Sequence, residues 1–102
     1  MGKSREELHE ILKELLGSNN VYYQPPEDEL MNYPAIRYSK KNIRSKFANN
    51  AAYSFNDCYE IIVIDYEPDN PVIKKLLSLP YCSYDRNYKA SNLEHDALTL
   101  YQ

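Results

Sequence analysis

The chain has only two glycines, Gly2 and Gly17, in 102 residues. A loop that cradles phosphate needs glycines grouped so that backbone N–H groups can approach the anion; no stretch supplies them, which excludes the usual nucleotide sites. Histidine is as scarce. His9 and His95 have no partner at ligand spacing, so the common zinc arrangements are absent and no cofactor is expected. Asp65, Glu67 and Asp69 alternate like a calcium ladder but lack its glycine and its distal glutamate. Cys58 and Cys82 are too few for a disulfide framework, and no leader-like segment precedes the first helical pattern, so a reducing, cytoplasmic setting is expected. The longest apolar run, IIVI at 61–64, is far short of the roughly twenty residues of a membrane helix, and a soluble protein follows. Tryptophan is missing altogether, and a formal net charge of -3 leaves no chain-wide basic field for a nucleic-acid backbone.

What the sequence has in quantity is tyrosine, with eleven. A broad ring with a polar tip suits a half-wet surface covered by another protein, and suits equally a strand of a small sheet. The length is that of one small domain, burying roughly two thirds of its unfolded surface.

Ser4 and Glu7 have capping-box spacing, Leu8, Ile11, Leu12, Leu15 and Leu16 repeat at helical intervals, and Gly17 supplies a left-handed stop, which predicts a helix over 4–16. VYYQ at 21–24 is extended and, with Pro25 and Pro26 following, belongs at a sheet edge or in a connection. In YPAIRYSK, Ala35, Arg37 and Ser39 alternate with Ile36 and Tyr38, as in a strand with one wet face. Residues 40–56 lack steady periodicity and read as a long loop with room for a helical turn. CYEIIVIDY at 58–66 is apolar on both faces, Ile61 and Val63 on one and Ile62 and Ile64 on the other, which places it centrally. Asn70 and Pro71 start a second helix over 70–78, with Ile73, Leu76 and Leu77 as its stripe and Pro80 beyond its end. YCSYDRNYK and HDALTLY form a closing hairpin over 81–101, joined by about six residues. The predicted fold is α+β: a largely antiparallel sheet of four to five strands, two helices packed on one face, and a long loop between the second and central strands.

The C-terminal stretch offers a thiol, carboxylates and an imidazole at Cys82, Asp85, His95 and Asp96. A nucleophilic thiol needs a positive, partly exposed setting and donors for the oxyanion, and nothing near Cys82 provides a glycine-built turn or nest for them. Cys82 reads as a small apolar residue. Asp85 with Arg86, and His95 with Asp96, read as polar hairpin positions on a side left available to a partner.

The order of motifs resembles a family of small tailed-bacteriophage structural proteins, known as tail terminator, tail completion or neck proteins. In that family V-Y-(F/Y)-Q-P-P leads to a Y-P strand, followed by an I-D-x-x-P-D turn, an L-P-x-C-S-(F/Y)-D-R strand and an H-D-x-(F/L)-T-L-Y end. Here these fall at Val21–Pro26, Tyr33–Pro34, Ile64–Asp69, Leu79–Arg86 and His95–Tyr101. The likeness spans 21–102 and departs in the Ala/Asn-rich stretch 48–52. It implies a non-enzymatic virion protein, with a fold similar to long-tail terminators. It further implies a ring, commonly of six subunits, between tail tube and neck, made in the host cytoplasm. The implied partners are further copies of itself, the tail tube protein and the neck or connector proteins, with no membrane and no specific nucleic acid, although such a ring lies near the DNA channel.

A ring requires heterologous contacts, one surface meeting a different surface of the next subunit, and a long loop beside a sheet is a natural arm. Lys40, Lys41, Arg44 and Lys46 offer charge for steering, and Phe47, Tyr53 and Phe55 offer anchors. These residues, with Asp85 and Arg86, are the expected interface, and the loop is expected to order against a neighbour. The alternative reading is a small intracellular binding or regulatory module that uses the same basic-aromatic loop.

Overall fold

Alternating apolar residues become a buried strand only where both neighbours complete its ladder, and the segment rich in Ile and Val is the one so placed. In the computed structural model, which describes residues 5–26, 30–41 and 58–101, the elements run α1 (Arg5–Leu16), β1 (Val21–Tyr23), β2 (Ala35–Lys41), β3 (Cys58–Asp65), α2 (Val72–Leu77), β4 (Cys82–Ala90) and β5 (Leu93–Tyr101). The five strands form one sheet in the order β1-β2-β3-β5-β4. β3 is the middle strand, antiparallel to β2 and β5; β4 is antiparallel to β5, and only β1 runs parallel to its neighbour. The fold is thus α+β with a mixed, mostly antiparallel sheet. Residues 42–57 join β2 to β3 in sequence and lie outside the described residues, as does Ser4 of the expected capping box.

Period-two alternation divides β3 between two clusters. Ile61 and Val63 face the helices, where Leu8 and Leu12 of α1 and Val72 and Leu76 of α2 meet Ile36, Tyr38, Tyr59, Leu98 and Leu100. Both helices therefore sit on one face. Ile62 and Ile64 face the other way, among Leu93 and Ala97, with Met31, Tyr33 and Tyr88 packed around them. Burial of such side chains stabilises the fold by about 1.5–3 kcal/mol each.

Local signals set the boundaries. Gly17 closes α1 at φ +82, with its N–H bonded to the Lys13 carbonyl. The turn after β3 is tied by side chains: Asn70 donates to Asp65 Oδ2 at 2.7 Å, and Val72 N–H donates to Asn70 Oδ1 at 2.8 Å. Helix α2 begins two residues later than the sequence suggests. Its buried pair is Val72 and Leu76, four apart on one face, whereas Leu77, one residue and about 100° further on, is exposed. No helix among the described residues is long and apolar enough to cross a membrane.

Candidate functional site

The C-terminal hairpin is tighter than the sequence indicates. Its connection is Ser91 and Asn92 alone, at φ +52 and +63, because Leu93, Glu94 and His95 all join the ladder opposite Ala90, Lys89 and Tyr88. Positive φ at both central residues matches the twist of the flanking strands, and short polar side chains tolerate it. This geometry carries β4 as a nine-residue strand along the edge of the sheet, most of its residues exposed. The opposite edge, β1, has three residues.

Polar side chains fasten that edge. The register shifts between Tyr84 and Arg86, leaving Asp85 as the extra residue of a bulge. Asp85 accepts a 2.6 Å hydrogen bond from Thr99 Oγ1, so the bulge carboxylate is committed to β5. The Arg86 guanidinium lies 5.1 Å over the Tyr88 ring, which stacks on His95 at 4.9 Å. Lys89 and Glu94 form a surface ion pair at 3.5 Å. The two residues read together as an exposed polar pair, His95 and Asp96, part company: the imidazole joins the tyrosine stack on the open face, and Asp96 is buried on the helix-bearing face at 7% exposure. Asp96 Oδ1 accepts from the Tyr84 hydroxyl at 2.6 Å and from Asn87 Nδ2 at 3.0 Å. This hydrogen bond is the main reason that the Tyr84 phenol is pushed up to about 12.

The same alternation separates the groups of a hypothetical thiol site. Cys82 stands opposite Leu100 and packs against the helix-side core, while His95 stands opposite Tyr88 and faces the other side. Burial, reinforced by the Asp85 carboxylate, pushes the Cys82 thiol up to about 11, so at neutral pH it is a protonated thiol rather than a nucleophilic thiolate. No group of three or more His, Cys, Asp or Glu side chains suited to a metal occurs among the described residues.

Large aromatics gather around the edge. Tyr81, immediately before β4, is 66% exposed, and Tyr84 and Tyr101 also present ring surface to solvent. Other tyrosines are structural: Tyr38 and Tyr59 lie in the core, and Tyr22 accepts a hydrogen bond from the Asn32 backbone. Of the basic-aromatic segment, Lys40 and Lys41 end β2 on the surface; Arg44, Lys46, Phe47, Tyr53 and Phe55 lie outside the described residues. The structure thus places Asp85 and Arg86 together on an edge, with Lys40 and Lys41 on β2, separated from β4 by the two strands β5 and β3. Sequence reasoning passed over Tyr81 and Tyr84 as candidate contacts; their flanking of the D-R pair in an edge strand is the signal that could have found them. Comparison with protein-family models, curated proteins and solved structures finds no match.

Proposed function

We propose that this protein is a structural component of a tailed-phage virion, whose copies form a ring that caps the tail tube and joins it to the neck. The observation that carries the reading is the order of five family-like motifs over 21–102, together with what their residues do in the fold. Asp65 of the I-D-x-x-P-D motif fastens the turn into α2, the L-P-x-C-S-Y-D-R motif makes the bulged edge strand, and the H-D-x-L-T-L-Y motif makes the strand that holds it. These residues build an edge and its support. The long β4 edge and the short β1 edge also differ, as the two unlike sides of a head-to-tail contact must.

The proposed role includes no catalytic step, in keeping with a protonated Cys82 turned away from His95. Its interface on the described residues comprises Arg86 and its bulge neighbour Asp85, with Tyr81 and Tyr84 as aromatic anchors. The test is electron microscopy of particles assembled without this chain. Full heads and unattached tails are expected, with joining restored on adding the purified protein. Complete virions formed in its absence would overturn the proposal.

A further inference from the structure

β1 stops at Tyr23, opposite Tyr38, while β2 runs on to Lys41, and this step at the short edge of the sheet opens a cleft. The chain turns there at Gln24, φ +45, whose N–H bonds the Tyr38 carbonyl at 2.9 Å and whose Oε1 accepts from the Lys40 N–H at 3.2 Å. The step is therefore tied to β2. The cleft holds about 220 Å³ and is lined by Gln24, by Arg37 and Ser39 of β2, and by Glu60 and Ile62 of β3. That volume falls below the roughly 300–1,000 Å³ of small-molecule pockets and has room for one or two side chains of another protein.

Alternation sends Arg37, Ser39, Glu60 and Ile62 to the face away from the helices. Arg37 stands across from Ile62 and Ser39 across from Glu60, so the two charges are diagonal neighbours, about 7–8 Å apart in such a ladder. Both are half-buried, and among the described residues neither has an ion pair. A visitor with one charge leaves the other facing a like sign. The cleft therefore suits a visitor that carries an anion and a cation side by side. The opposite edge of the sheet carries such a pair. Asp85 stands out at the bulge with Oδ2 bonded to Thr99, which leaves Oδ1 for another donor. Arg86 beside it is exposed, its guanidinium over the Tyr88 ring and without a carboxylate partner among the described residues.

We propose that this cleft receives the Asp85–Arg86 pair of a second copy, Arg86 pairing with Glu60 and Asp85 with Arg37. The inference rests on the ring reading above and names the receiving half of its contact. Giver and receiver lie at opposite edges of one sheet, β4 and the step beside β1, so each copy gives on one side and receives on the other. That is the heterologous contact a ring needs. Ser39 adds a hydroxyl to the pairing, and the Ile62 floor keeps water from one side of it.

The test is native mass measurement of charge-swapped chains with tail-tube subunits. Arg86→Glu alone and Glu60→Arg alone should each raise the concentration needed for assembly by about tenfold or more, since both set like charges across the contact. Mixing the two variants should restore assembly, with the chains alternating, because every contact in the mixture joins unlike charges. One chain carrying both substitutions should assemble by itself. If Glu60→Arg fails to fold, Glu60→Gln decides the matter: it should weaken assembly as Arg86→Gln does, and the double variant no more than either. Single swaps that assemble like wild type would overturn this pairing and leave the ring standing. Swaps that weaken assembly without rescue on mixing would give the cleft to another partner and overturn the pairing too. A wild-type chain that never assembles would overturn the ring, and the pairing with it.

Discussion

Ile62 shows how one position reports on the whole sheet. It stands on β3 opposite Arg37 on one side and Ala97 on the other, facing away from the helices yet buried with Ile64, Leu93 and Ala97. An aspartate there loses the apolar contacts of this cluster and must desolvate its carboxylate, with the Arg37 side chain across the ladder as its cross-strand cation. Ile62→Asp is therefore expected to cost about 3 kcal/mol or more in stability. Urea unfolding measures this directly, and a variant with the parent midpoint would show that the second face of β3 is wet. Cys82 makes the complementary point. Its chemistry is set by burial and by the Asp85 carboxylate rather than by the histidine thirteen positions along, because alternation sends the two side chains to opposite faces.

Among the elements, the closing hairpin depends most on local backbone geometry. Asn92 at φ +63 needs a side chain that accepts the left-handed region, so Asn92→Val should destabilise the fold by about 1 kcal/mol or more while Asn92→Gly stays near the parent. Thermal melts of the pair separate turn strain from loss of the amide: equal destabilisation in both would place the effect in the side chain. The hairpin also marks where sequence reading ran out. Apolar periodicity identified α1 and the central β3 with its two faces, because burial repeats at fixed intervals in each; the face of β2 expected to be wet is closed at Ala35 and half-buried at Arg37 and Ser39. Periodicity missed the two-residue turn because Glu94 and His95 look like loop residues, although each pairs across the ladder with Lys89 and Tyr88. It put Asp96 in water because a carboxylate ordinarily belongs there, and the Tyr84 and Asn87 donors that make its burial tolerable arrive from the neighbouring strand. The bulge that strands Asp85 leaves no periodic trace, since one inserted residue only reverses the phase of the alternation.

For the molecule as a whole, the helices cover one face of the sheet and leave two unlike edges, a nine-residue bulged β4 bordered by tyrosines and a three-residue β1. A bulge with Asp85, Arg86 and Lys89 along it discourages open-ended strand addition and favours a side-chain contact of defined register. The central claim, that copies of this chain assemble into a ring on the tail tube, is tested most directly by native mass measurement of the purified protein alone and with tail-tube subunits. The account predicts that tube subunits bring the 12.0 kDa chain into a discrete complex holding a fixed multiple of it, with six copies the expected number, and that Arg86→Glu combined with Tyr81→Ser abolishes the complex without unfolding the subunit. A chain that remains monomeric at all concentrations and ignores the tube would contradict it.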